Sequence, residues 1–165
     1  MVTFLTNYLY KIGVFGSAVD DNKTALQAAK KIGQELGKLK DVILISGAGA
    51  GLPYIVTHEA LKGGVDVWGF TPEIDNKHHK MAYPEHNPSL YAKLFYVPTY
   101  YRKLFFLKKN DQFRCGPYAR LNYRNIISTA NCDAGIIISG RWGTLNEFIN
   151  LYEMRKVIGV LTETG

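Results

Sequence analysis

The chain has 165 residues, 47% of them apolar, and a formal net charge of +6. That length can bury a core without disulfides or metal, and no apolar run approaches the roughly 18 to 20 residues of a membrane span. Residues 1–10 are mixed and tyrosine-rich, not basic then apolar, which speaks against a signal peptide. Cys115 and Cys132 have neither metal-binding nor redox spacing, so both are expected as free thiols in a reducing cytoplasm, with a bond between them left open.

Lys11 to Phe15 reads as a buried strand ending at Gly16-Ser17. Asp20 to Asn22 can cap a helix whose apolar positions are Ala25, Ala28, Ala29, Ile32, Leu36 and Leu39, all on one helical face. Val42 to Ile45 is a second strand, stopped by Ser46-Gly47-Ala48-Gly49-Ala50-Gly51. A helix over about 53–61 follows, with Pro53 in its first turn. Gly63-Gly64 ends it, and Val65 to Phe70 is the third strand. From Glu73 to about Tyr100 the pattern dissolves, except for a strand expected at 93–97. Pro117 then opens a helix to about Ala130, followed by a strand at 134–138, a helix from Thr144 to about Met154, and a last strand at Val157 to Leu161. An open sheet normally covers such a strand with another helix, so the finish at Gly165 reads as abrupt, whether natural or shortened. Alternation of this kind predicts an α/β fold: a Rossmann-like, doubly wound parallel sheet with helices on both faces, in a single domain over 1–165.

Three glycine-bearing loops follow three strands, at Gly16-Ser17, at Gly47-Ala48-Gly49 with Gly51, and at Gly140-Arg141-Trp142-Gly143-Thr144. In an open parallel sheet these carboxyl ends share one edge, where backbone N–H groups and helix N-termini suit anions. G-x-G-x-x-G and G-x-x-x-x-G-K-[ST] are both absent, which argues against a nicotinamide dehydrogenase and an ordinary NTPase. Thr144-Leu145-Asn146-Glu147 has two readings. It can be a helix capping box, or it can place a carboxylate in the crevice to orient water or steady positive charge on a sugar ring.

The stretch from Arg102 to Arg124 concentrates Arg102, Lys103, Lys108, Lys109, Arg114, Arg120 and Arg124 among aromatic residues. Its composition suits phosphate binding and stacking, and equally a solvated face with its aromatics turned inward. No RNA-binding motif accompanies it, so nucleic acid is not the expected partner. His78, His79 and His86 fall in a polar, proline-bearing loop, and His58 on a helix reads as structural. Neither arrangement suggests a metal site.

These residues resemble the LOG proteins, often filed as lysine decarboxylase-like. Their signature is an arginine on a helix, a strand, then P-G-G-x-G-T-x-x-E; Arg124, Asp133, Gly140, Gly143, Thr144 and Glu147 fall at the matching spacing. Gly51-Leu52, Ala60, Gly63-Gly64, Gly69 and Pro72 are similar to the family's earlier pattern, and Val14-Phe15-Gly16-Ser17 to its first loop. The likeness covers most of the chain outside about 73–115. Ser139 and Arg141 stand where the motif has its proline and second glycine, and Pro53 where a methionine is usual.

The resemblance implies a nucleoside 5′-monophosphate phosphoribohydrolase that cleaves the N-glycosidic bond to give base and ribose 5-phosphate. Arg124 and Glu147 would be its catalytic pair. Gly16, Ser17, Gly47, Ala48, Gly49, Gly51, Gly140, Arg141, Gly143 and Thr144 would bind the nucleotide. No cofactor is implied, and a homodimer or larger homo-oligomer is. The alternative is a non-catalytic sensor or carrier of a nucleotide-like ligand or of the molybdenum cofactor, since relatives of the same fold bind without hydrolysis.

Overall fold

The computed structural model describes residues 9–19, 22–97 and 116–164. Six strands, β1 (Tyr10–Gly16), β2 (Val42–Ser46), β3 (Asp66–Thr71), β4 (Lys93–Tyr96), β5 (Ala134–Ile138) and β6 (Val157–Leu161), form one sheet. Its order is β4-β3-β2-β1-β5-β6, and every pairing is parallel. The chain builds outward from β1 to β4, then returns to the other side of β1 for β5 and β6. Loops leaving β1 and β5 therefore diverge, which opens a crevice at that switch point. The expected α/β, Rossmann-like sheet is what forms.

Among the described residues, five helices cover the sheet: α1 (Lys23–Leu36), α2 (Leu52–Leu61), α3 (Asn76–Ala82), α4 (Pro117–Ala130) and α5 (Trp142–Glu153). Val14, Leu44, Val67 and Ile138 pack on one face with Ala25, Ala29 and Leu36 of α1 and Leu52, Val56 and Ala60 of α2. Phe15, Ile45, Phe70 and Ile137 pack on the other with Cys132 and Leu151 of α5. Alternate strand residues feeding opposite cores is the pattern of a sheet buried on both sides. The thiol of Cys132 is free and buried, and burial pushes its pKa up to about 12. Cys115 and the lysines and arginines from 102 to 114 lie outside the described residues.

Three details differ from the expected pattern. α1 takes its cap from Asn22, whose side chain accepts from the Thr24 and Ala25 N–H groups, but it stops at Leu36 and leaves Leu39 outside and 46% exposed. α5 begins at Trp142, with Arg141 as an N-cap that makes no side-chain cap bond. Thr144 is thus the third helical residue and Glu147 lies in the second turn, so no capping box forms.

The third difference is that residues 73–92 are not irregular. Asp75 caps α3 by accepting from the His78 N–H, and a 3-10 turn spans Pro88–Leu90. His79 is fully buried, with Nδ1 3.0 Å from the Thr71 hydroxyl. His86 is buried too and stacks on Tyr54 of α2 at 3.9 Å and 1°. His58, by contrast, stands exposed on α2.

Burial holds both buried imidazoles below the ordinary 6.5; at His86 it outweighs a hydrogen bond to the Ala48 backbone and the nearby Glu85. An unfolded histidine takes its proton near 6.5 and these take theirs lower, so the unfolded state binds more protons as the pH falls and stability declines with it. Replacing His86 by Phe keeps a ring against Tyr54 but removes one titrating group. Relative to the parent chain, the urea midpoint of His86→Phe should shift upward as the pH is lowered from 7.5 to 5.5, even though the variant loses its Ala48 bond.

Candidate functional site

The crevice at the β1–β5 switch point is a cleft of about 390 Å³. Its walls come from the loops after β1 and β2, from α4, from the β5–α5 junction, and from Tyr83 just beyond α3. Gly16, Ser17, Gly47, Gly49, Arg124, Arg141, Gly143, Thr144 and Glu147 all line it. Ala48, Gly51 and Gly140 do not. Ala48 is fully buried in the left-handed region at φ 49°, behind the loop. Gly51, at φ 87°, lies so close to the Ser17–Ala18 backbone that a side chain has no room. Gly140, at φ 152°, packs on Thr144 and faces a shallow apolar hollow on the far side of the loop.

At the base of the cleft Arg124 Nη1 donates to Glu147 Oε1 at 3.4 Å. The carboxylate side chain is 7% exposed and the guanidinium side chain 16%. Burial raises the Glu147 pKa to about 7, against the opposing pull of Arg124. The guanidinium comes from α4 and passes over Gly47, where an added Cβ would fall on Nη1. Glycine there is a matter of space for the arginine. Next along α4, the Asn125 amide donates to Asn146 Oδ1 at 3.1 Å and to the Gly143 carbonyl at 3.4 Å, fastening α4 to the first turns of α5. Arg120 is also engaged, with Nε donating to the Pro72 carbonyl at 2.9 Å.

The helix α5 starts here without a side-chain cap, so its first N–H groups remain available to an anion. Those of α2 do not, because the Leu52 N–H donates to the Ser17 carbonyl, Pro53 has none, and the Tyr54 N–H donates to the Gly51 carbonyl. Ser139, just before α5, holds the left-handed conformation at φ 53°. Its N–H donates to the Thr164 hydroxyl at 3.0 Å, which itself donates to the Leu161 carbonyl. Tyr118 belongs to the basic, aromatic stretch whose composition suits stacking, and it does line the cleft. Tyr83, Asn122 and Asn125 were not legible as site residues from spacing. Among the described residues, no three of His, Cys, Asp or Glu gather as a metal site would require.

Residues 9–90 and 119–165 match the model of the SLOG cluster4 family, and the chain belongs to that family. The match reaches beyond residue 73, where the resemblance to the LOG pattern was lost. No protein of curated function matches the chain. Among solved structures it is similar to the structural-genomics target TM1055, with 21% identity, TM-score 0.65, and 94% of this chain covering 76% of that one. It is similar to the molybdenum cofactor binding protein of Rippkaea orientalis, with 18% identity, TM-score 0.62, and coverage of 92% and 75%. It is also similar to DNA processing protein A from Streptococcus pneumoniae, with 15% identity, TM-score 0.65, and 93% of this chain against half of that one. Such identities establish the fold. A further DNA processing protein A, from Helicobacter pylori, is described by its single-stranded DNA binding mode, so the expectation that nucleic acid is no partner gains nothing from these likenesses.

The raised pKa of Glu147 has a measurable cost. Between about 4.5 and 7 the folded chain holds a proton that the unfolded chain has released, so stability falls as the pH rises through that window. The effect is worth up to about 3 kcal/mol. Between pH 5 and pH 8 the urea midpoint of Glu147→Gln should rise relative to that of the parent chain; parallel profiles would mean the carboxyl titrates normally.

Proposed function

We propose that this member of the SLOG cluster4 family binds a nucleoside 5′-monophosphate, or a related phosphorylated small molecule, in the switch-point cleft and hydrolyses its N-glycosidic bond. One observation carries the reading: a buried carboxylate, Glu147, is held against Arg124 at the base of a cleft walled by three glycine-bearing loops. The uncapped start of α5, with Gly143 and Thr144, offers backbone donors to the sugar phosphate. Arg124 adds a positive charge that holds the anion and orients Glu147.

In the reaction the C1′–N bond breaks and its electron pair leaves with the base nitrogen, which takes up a proton from solvent. Positive charge develops on the ribose ring and is stabilised by the Glu147 carboxylate. A water oxygen then bonds to C1′ and gives its proton to Glu147. The desolvation that raises the Glu147 pKa also makes its carboxylate a stronger base near neutrality.

A second reading has its own observation in favour. Arg141 brings a long cationic side chain to the cleft edge, and the loop before it turns through a left-handed serine. A ligand gripped there can be kept instead of cleaved, as in a sensor or a carrier of a nucleotide-like molecule or of the molybdenum cofactor as cargo. Basic residues around 102–124 leave a polyanion as a third class of ligand, which a steep fall of affinity with salt would reveal.

Incubation with a panel of nucleoside 5′-monophosphates, followed by chromatography, separates these readings. Release of free base and ribose 5-phosphate is expected, with Glu147→Gln losing at least 100-fold in rate (about 3 kcal/mol) while still binding the nucleotide. Nucleotide binding without release in the parent chain would favour the sensor or carrier. Because the base must be ionised, turnover should rise with pH to a plateau, with its midpoint near 7; a descending limb there would make Glu147 an acid instead.

A further inference from the structure

Tyr83 is the one cleft residue supplied by the segment between β3 and β4, and its placement is unusually well fixed. It is the C-cap of α3, its N–H donating to the His79 carbonyl and its own carbonyl accepting from His86. Its ring stacks on His86 at 5.4 Å and 13° and meets His79 at 5.2 Å. His86 is in turn pressed flat on Tyr54 of α2. The ring is thus held by His86 and His79, and its hydroxyl end lies beside Gly49, which lines the cleft. A Cβ built on Gly49 would stand 3.6 Å from that hydroxyl. Arg124 lies close enough to lower the phenol's pKa, although burial outweighs it and keeps the group neutral. A neutral phenol both donates and accepts a hydrogen bond.

Position along the sheet edge decides which part of a ligand this hydroxyl meets. The Gly143–Thr144 donors stand beyond β5, whereas Gly49 and Tyr83 stand beyond β2, with β1 between. Two strand spacings amount to roughly 10 Å, which is the scale of a mononucleotide from phosphate to base. Arg124 reaches over Gly47 on the β2 side and meets Glu147 of α5 at 3.4 Å, so the pair bridges the two ends. With the phosphate on the α5 start and the glycosidic carbon over Glu147, the base reaches the β2 side.

We propose that Tyr83 is a specificity-determining residue whose hydroxyl hydrogen-bonds the nucleobase, with the His79–His86–Tyr54 stack as its rigid support. The inference rests on the nucleotide reading above but not on turnover, since a sensor would use the same contact. It also gives the buried aromatic stack a purpose, because a hydroxyl on a mobile loop would discriminate poorly.

Calorimetric titration of the full chain and of Tyr83→Phe with nucleoside 5′-monophosphates and with ribose 5-phosphate tests it. Phenylalanine keeps the ring and its stacking, and an unchanged melting temperature would verify the fold. The best-bound nucleotide should lose about 3- to 10-fold in affinity, the size of one neutral hydrogen bond, while ribose 5-phosphate binds the two chains equally. Equal losses for nucleotide and ribose 5-phosphate would place the hydroxyl at the sugar phosphate and overturn the proposal. Unchanged nucleotide affinity would overturn it alone, leaving the nucleotide reading intact. Failure of every nucleotide to bind the parent chain would overturn both.

Discussion

The burial of Glu147 against Arg124 is the constraint around which the rest of the cleft is arranged. A carboxylate removed from water loses several kcal/mol of solvation, and one guanidinium at 3.4 Å does not restore it, as the raised pKa shows. The surrounding residues can be understood by what this pair demands. Gly47 yields the volume that the guanidinium occupies. Asn125 ties α4 to α5, so the two helices carrying the charges cannot drift apart. The strand order sets β5 beside β1 and opens the crevice directly above. A site selected for stability alone would have replaced the pair with apolar side chains, so its presence indicates a use that offsets its cost.

Most of the sheet was legible because its strands are short apolar runs stopped by glycine, serine or threonine. The limits of β5 and β6 coincide with residues 134–138 and 157–161 as read from sequence. The helix after β5 was misplaced by two residues because a threonine three positions before a glutamate imitates a cap, whereas the true N-cap, Arg141, offers no oxygen to identify it. α3 escaped notice for a different reason. Asn76-Lys-His-His-Lys-Met-Ala82 has no apolar period, since its core position is filled by a histidine. The site residues divide along the same line: glycines and the charged pair stand out by spacing, whereas Tyr83 and Asn125 acquire their roles only from tertiary contacts.

The enzyme and binder readings differ less in geometry than in what the cleft does with binding energy. Both require the phosphate to be held at the start of α5 and the remainder of the ligand to lie along the strand ends. A hydrolase must in addition bind the charged ribose more tightly than the intact nucleotide, and an ionised Glu147 provides that difference. With the Glu147 pKa near neutrality, a hydrolase built on this site would lose that advantage under mildly acidic conditions, whereas a binder would not depend on it.

The left-handed serine at the mouth of α5 carries an evolutionary consequence. Ser139 combines a φ of 53° with an N–H donated to Thr164, and proline permits neither, its ring fixing φ near −65° and removing the donor. The proline of the LOG motif therefore cannot be reached from this chain by a single exchange, because the backbone and the turn at 161–164 would have to change together. Ser139→Pro in this chain is therefore the rebuilding of a loop and not the exchange of one side chain, and its effect would reach the turn that carries Thr164.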